Sequence, residues 1–253
     1  MTNKTKVLLD RVHEKLMNDQ VIEGMEDLFI NLREFRLQKS KKDWEYIVKT
    51  EMLTHPIKYL VHEDPITRRS FLKPRGYAGD AALLDMIYLH SSFDFNNLSE
   101  ISKKIYKYTS QSPACKAVRF RRKYLAMKID KVADQINRPK ILSVACGHLR
   151  EIELSQAIKS HKIGKLIAID QDQKTIKLIK DSYSEYGITP HNLSVRDIFK
   201  EHITKEFDFI YAAGLYDYLV NRVAEKLTVK LFKMLSKGGI LLVANFLPEI
   251  KDI

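Results

Sequence analysis

Gly147, Asp170, Asp197 and Gly214 each stand where an apolar run of the sequence stops. Residues 140–147, KILSVACG, pass straight into HLREIEL. A β-branched and aliphatic stretch ends at one Gly and gives way to helix-forming residues, which predicts a strand, a tight turn and a helix start. A helix start offers unpaired amides and a partial positive charge, so this turn is a natural seat for a polar ligand. The run KLIAID ends at Asp170, HNLSV leads to Arg196–Asp197, and FDFIYAAG ends at Gly214. Glu151, in the first turn after Gly147, complements the helix dipole or meets the ligand. Cys146 reads as a small buried residue rather than a nucleophile.

These positions need a framework. A fifth run, GGILLVANF, lies near the end of the chain, and helical patterns separate the runs: EIELSQAIKS, QKTIKLIKDSYSEY and VAEKLTVKLFKMLS. Strands alternating with helices at this spacing predict βαβ units and a parallel sheet. In such sheets a ligand sits at the carboxyl ends of the strands. Upstream, VLLDRVHEKLMN, IEGMEDLFINLREFRLQ and DWEYIVKTEML carry apolar residues at helical spacing. His55–Pro56 and Asp64–Pro65 punctuate that region. The loop SFLKPRGYAGD places Pro74, Gly76 and Gly79 close together, and Asp80 can cap the helix AALLDMIYLH. A long helix from about Pro113 to Gln135 leads into the first strand. On its apolar stripe of Val118, Leu125, Ile129, Val132 and Ile136 lies a cation, Arg122, with Arg119 one turn away.

The stretch 140–247 resembles class I S-adenosylmethionine (SAM)-dependent methyltransferases. ILSVACGHL stands where that family has its Gly-rich first motif, and Asp170 where an acid binds the two ribose hydroxyls. Asp197 stands where a side chain reads the adenine amino group. FDFIYAAGLYDYL is similar to the fourth-strand motif, and MLSKGGILLVANF to the fifth strand with its preceding turn. The resemblance implies a Rossmann-like α/β fold of strand order 3-2-1-4-5. It implies cofactor contacts at Ala145, Cys146, Gly147 and Glu151, at Asp170 and Gln171, at Asp197 and Ile198, and at Gly214 and Arg119. The usual acid near the end of the first strand is Ser143, and two usual glycines are Ala145 and Leu149. The family's C-terminal antiparallel hairpin has no counterpart before Ile253, so a homodimer covering the sheet edge is one expectation.

KPRGYAGDAALLDMIY, AVRFRRKYL, ACGHLREI, GLYDYLVNRVAEKL and ANFLPE resemble a narrower bacterial methyltransferase subfamily. Its members include proteins assigned to making hydroxy-fatty-acid methyl esters that serve as cell-density signals. RGYAGD is the distinctive string. The organisation expected is a helical N-terminal or cap region, 1–137, and a SAM-binding core, 138–253.

Composition fits an enzyme with a sizeable core: 253 residues, 45% hydrophobic. No apolar run approaches the ~20 residues of a membrane span. The start lacks the apolar region of a signal peptide, and two cysteines make no disulfide framework, so a cytoplasmic location is expected. The net charge is +11, mostly carried by the N-terminal half. It suits a solvated surface or an anionic partner, such as a carboxylate substrate or an acidic carrier protein. No named nucleic-acid motif is present.

The chemistry expected is in-line displacement: an acceptor attacks the methyl carbon and S-adenosylhomocysteine leaves, with the protein supplying alignment. A carboxylate acceptor, small or acyl, is ionised at neutral pH and needs no base. Arg75 and Arg122 are the cations to hold it, under a lid formed by the RGYAGD loop with Tyr77. Tyr216 and Asp217, after the fourth strand, are placed to orient it, and His148 is given no catalytic role. Two other readings stay open. A nicotinamide-dependent oxidoreductase shares the strand, turn and acid but wants a full G-x-G-x-x-G. A degenerate SAM-binding regulatory or scaffold module would keep the fold without the reaction. No metal is expected.

Overall fold

The computed structural model describes residues 4–200 and 206–247. The last residues of the ANFLPE string, Pro248 and Glu249, lie outside the described residues. The chain divides into two compact units, one reaching to Val118 and one spanning Arg119–Leu247. That division falls inside the long helix Pro113–Gln135.

The first unit is helical: α1 (Lys4–Met17), α2 (Val21–Leu37), α3 (Lys41–Ile47), α4 (Ile57–Val61), α5 (Pro65–Leu72), α6 (Ala81–Ile87), α7 (Glu100–Ser110) and the start of α8 (Pro113–Gln135). Leu8, Leu9, Val12 and Leu16 of α1 recur at helical spacing and are buried against Val21, Met25 and Leu28 of α2, with Ile57 and Ile105. The two prolines that punctuate the sequence stand at the head of helices. Asp64 caps α5 through the amides of Ile66 and Thr67, with Pro65 in the first turn, where its missing N–H costs nothing. Helices α4, α5 and α7 were not marked by the sequence pattern, because they are short or rely on caps rather than a long apolar stripe.

The second unit is a five-stranded sheet of order β3-β2-β1-β4-β5 with every pairing parallel. Its strands are β1 (Lys140–Val144), β2 (Lys165–Asp170), β3 (Ile188–Asn192), β4 (Phe207–Ala213) and β5 (Leu235–Ala244). Between them lie α9 (Gln156–Lys159), α10 (Gln173–Ser182), α11 (Val195–Lys200) and α12 (Asn221–Phe232). This is the Rossmann-like arrangement expected. Successive side chains alternate between two faces. Ile141, Leu166, Ala168, Phe209 and Tyr211 meet Leu125, Ile129 and Val132 of α8 and Ile179 of α10. Leu142, Val144, Ile167, Ile169, Ile210 and Ala212 meet Leu227 and Leu231 of α12 and Ile198 of α11. Strands covered on both faces read as continuous apolar runs, which is why β1, β2 and β4 stand out in the sequence.

Three expectations are corrected. The third strand is Ile188–Asn192 and not HNLSV. It lies at the sheet edge, pairing only with β2, where Pro190 is tolerated because its missing N–H interrupts no ladder on the outer side. Asp197 therefore sits in the first turn of α11, not at a strand end. The helix expected over EIELSQAIKS is broken into a 3₁₀ turn, Arg150–Glu153, and the four-residue α9. Ile136 falls beyond α8 and is 36% exposed, so it does not belong to the buried stripe.

Candidate active site

The turn after β1 is built on alternating backbone. Ala145, Gly147 and Leu149 all have left-handed φ, 51°, 53° and 55°. Two of the three are not Gly, and each costs roughly 1–2 kcal/mol in that region. The turn thus keeps the path that glycines usually permit, although the sequence lacks two of them. Local hydrogen bonds hold it. The Cys146 amide donates to Ile169 O at 3.0 Å, and the Leu149 amide to Cys146 O at 3.1 Å. The Gly147 amide donates to Asp170 Oδ2 at 2.9 Å. The turn leads into a single 3₁₀ turn, Arg150–Glu153, too short to give the helix dipole expected from the sequence.

Asp170 ends β2 and is 5% exposed. Its second oxygen, Oδ1, accepts from the Asp172 amide at 2.9 Å. Burial raises this carboxyl above its ordinary value, while the two amides pull it back. Each oxygen retains a lone pair for a ligand donor. Gln171, next to it, is exposed. Asp197 is engaged locally: its Oδ2 accepts from the Ser194 hydroxyl at 2.6 Å and the Ser194 amide at 2.9 Å. Those bonds hold it below the usual carboxylate range. The Ile198 side chain is buried in the sheet core.

Behind the turn lies a buried polar group of three. Ser143 of β1 and Tyr211 of β4 are register partners across the strand seam. The Tyr211 hydroxyl donates to Glu151 Oε1 at 2.7 Å. Glu151 is 6% exposed and its carboxyl is raised by burial, against the hydrogen bond from Tyr211. An acid is therefore present at the end of the β1–β4 seam even though Ser143 stands where one is usual. Burial, together with Asp170 and Glu151, pushes the Cys146 thiol up, so it is no thiolate nucleophile.

Arg122 is engaged within the scaffold. Its Nε donates to Arg150 O at 2.9 Å and its Nη2 to Glu153 Oε2 at 2.7 Å. Glu153 Oε1 also receives Arg150 Nη1 at 2.9 Å and the Tyr183 hydroxyl at 2.5 Å. This network fastens the 150–153 turn to α8 and to Tyr183 just beyond α10. Arg119 is half-buried and engaged by neighbours. Arg121, which the sequence pattern did not single out, lies against Gly214 at the end of β4. Its Nη1 is 3.1 Å from the place a Cβ on Gly214 would take. Gly214 itself has φ +86°, so both conformation and space call for Gly.

Beyond β4, the Tyr216 hydroxyl is bonded to Thr228 Oγ1 at 2.9 Å, and Asp217 Oδ1 accepts from the Phe246 amide at 3.0 Å. Both tie the segment after β4 to its surroundings. In the helical unit, Asp80 caps α6 through the Leu83 amide and holds Arg69 Nε at 2.7 Å. The loop before it is a turn as expected, with Gly76 at φ +89°, and Arg75 and Tyr77 are half-buried and engaged. Among the described residues no cluster of His, Cys, Asp and Glu could hold a metal ion, and no helix is long and apolar enough to cross a membrane.

No protein-family model and no curated protein matches this chain. Solved structures do. A possible exported protein from Bordetella parapertussis matches with TM-score 0.50 and 19% identity, over 65% of this chain and 53% of that one. The chain thus spans about half the length of that protein, and the likeness is one of fold. A TehB-like SAM-dependent methyltransferase from Corynebacterium glutamicum matches with TM-score 0.37 and 20% identity, over 52% of this chain and 73% of that one. Phosphoethanolamine N-methyltransferase 1 from Haemonchus contortus, solved with phosphoethanolamine and S-adenosylhomocysteine, matches with TM-score 0.39 and 12% identity, over 49% and 26%.

Proposed function

We propose that the protein is a SAM-dependent methyltransferase, and the hydrogen bond from Gly147 to Asp170 is the observation that carries this reading. It joins the turn after β1 to the acid that ends β2. Asp170 then offers one free lone pair on each oxygen, the acceptor set that a ribose diol needs. A dinucleotide wants turn amides free for its pyrophosphate. Here the Gly147 amide is turned to Asp170 and the Leu149 amide to Cys146 O. The residues fit an adenosine without a pyrophosphate, and they disfavour the nicotinamide reading.

SAM brings a methyl group activated by its sulfonium. The protein's part is placement. Asp170 fixes the ribose, the left-handed turn at 145–149 lets backbone approach, and Gly214 keeps the end of β4 bare. Cys146, held as a thiol, does not compete for the methyl group. A carboxylate acceptor would form its ester without giving up a proton, so the site needs no base. This agrees with the engagement of Tyr216 and Asp217 in the scaffold. The RGYAGD string points more narrowly to an acyl or hydroxy-fatty acid acceptor, free or carrier-bound.

Calorimetric titration of the whole chain tests the reading. S-adenosylhomocysteine should bind at micromolar concentration and NAD should not. The engagement of Tyr216 and Asp217 also favours a second reading, a SAM-binding regulatory module. Tight binding with no methyl transfer to a panel of carboxylic acids would select it.

A further inference from the structure

The buried stripe of α8 has a counterpart on the opposite side of the helix. Phe120, Tyr124, Met127, Lys131 and Asp134 recur at steps of four and three residues, the spacing of a helix-pairing seam. Phe120 is 66% exposed and Met127 55%. Phe120 stacks on Tyr124 with ring centroids 6.1 Å apart, and Lys128 Nζ covers Tyr124 at 5.1 Å. Leu154 borders the same face, and with Lys123, Ala126 and Met127 it lines a groove. Single exposed apolar side chains are ordinary, but a row of them in seam register beside a groove marks an interaction surface.

The charges along this face decide what fits it. At about 100° per residue, Phe120, Lys123, Lys131 and Asp134 all fall within about 40° of Met127. Asp130 lies on the flank of Lys123, and Tyr124 on the flank of Lys131. On the first flank the face is basic before Met127, at Lys123, and acidic after it, at Asp130 and Asp134. Asp130 is held in place by α9: its Oδ1 accepts from the Ser155 hydroxyl at 2.5 Å and the Ala157 amide at 2.9 Å. A face that reverses sign along its length complements its own copy run in the opposite direction. A two-fold axis beside Met127, at right angles to α8, sets Lys123 between the partner's Asp130 and the partner's Asp134, and does so twice. The same axis lays the aliphatic stem of Lys131 along the partner's Phe120 and the partner's Tyr124. Met127 then meets the partner's Met127.

We propose that a second copy of this chain docks on the outer face of α8, as an antiparallel helix pair centred on Met127. Residues 119–135 span ~25 Å of helix. One helix pair of that length buries an area at the small end of specific interfaces, so the dimer is concentration-dependent rather than permanent. The seam is a different surface from the sheet edge, and it does not rest on the methyl-donor reading.

Sedimentation velocity at rising concentrations reads the association, and cysteine cross-linking reads its register. Wild type should pass from monomer to dimer as concentration rises. Met127→Glu sets two carboxylates against each other at the axis and should raise the dimer dissociation constant at least roughly tenfold. Lys123→Glu should weaken the dimer too. Both side chains are exposed, so the melting temperatures of these variants should stay near wild type. Under mild oxidation Met127→Cys should give a disulfide-linked dimer, because facing positions of a close helix pair come within disulfide reach. Phe120→Cys should not, because its two copies would lie roughly 21 Å apart along the pair. Wild type oxidised in parallel accounts for Cys115 and Cys146. A wild type that stays monomeric at every concentration overturns the inference. So does a dimer that Met127→Glu leaves at full strength, since its interface then lies elsewhere. Phe120→Cys protein that links as readily as Met127→Cys also overturns it.

Discussion

The Gly147 amide and the Asp170 carboxylate meet at 2.9 Å, 23 residues apart in sequence. That contact makes the turn after β1 and the end of β2 one structure. On the proposed reading, it occupies an amide that a pyrophosphate would need and leaves Asp170 acceptor sites for a ribose diol.

Arg122 and Glu153 should matter for stability more than for chemistry. The pair is 2.7 Å apart, with the two side chains 13% and 27% exposed. Glu153 also serves Arg150 and Tyr183, so Glu153→Ala would leave a buried guanidinium without its carboxylate. A loss of about 2–4 kcal/mol is expected, on the scale of breaking a buried pair. Chemical denaturation measures it. A change under about 0.5 kcal/mol, the scale of ordinary surface substitutions, would mean the network is not holding the turn.

Gly214 is predicted to resist substitution. Gly214→Ala places a Cβ at left-handed φ, and that Cβ meets Arg121 Nη1 at 3.1 Å. The backbone strain should cost roughly 1–2 kcal/mol. Differential scanning calorimetry measures the loss. Full retention of stability would show that the conformation does not constrain this position.

Burial raises the carboxyls of Glu151 and Asp170 above ordinary values. Each then holds more protons in the folded than in the unfolded chain over the interval that starts near the ordinary carboxylate range of about 4 and extends upward. Stability from these groups is fully present below that interval and is lost as pH rises through it. Glu151→Gln removes one such group and can still accept from Tyr211. The ligand-free variant should therefore melt at or above wild type at about pH 7, with the gain shrinking towards about pH 4. A variant that melts lower by the same margin at both pH values would contradict the assignment.

Much of this fold is readable from the sequence because parallel strands buried on both faces leave unbroken apolar runs. Ile141–Val144, Leu166–Ile169 and Phe209–Ala212 announce themselves in that way. The edge strand does not: β3 carries Thr189, Pro190 and His191, and its mostly polar surface hid it three residues upstream of the expected place. The helix over 151–160 failed for a local reason. Ser155 caps α9 and its hydroxyl binds Asp130 at 2.5 Å, which stops one turn and starts another. At the site, the placement of Asp170 at a strand end was readable from an apolar run that stops at an acid. The work of Arg122 was not, because Glu153 and the Arg150 carbonyl come near it only through folding. Tyr211 was missed although its alternation in FDFIYAA puts it on the Ser143 face, a signal that appears once the register of β1 against β4 is known.

Titration of S-adenosylhomocysteine into Asp170→Ala, beside wild type, tests the central claim most directly. The account predicts micromolar binding to wild type and a loss of at least roughly tenfold in the variant, the scale of removing hydrogen bonds to a charged acceptor. Thermal melting of the same samples establishes that the variant is folded. A folded Asp170→Ala protein that binds S-adenosylhomocysteine as tightly as wild type would contradict the account.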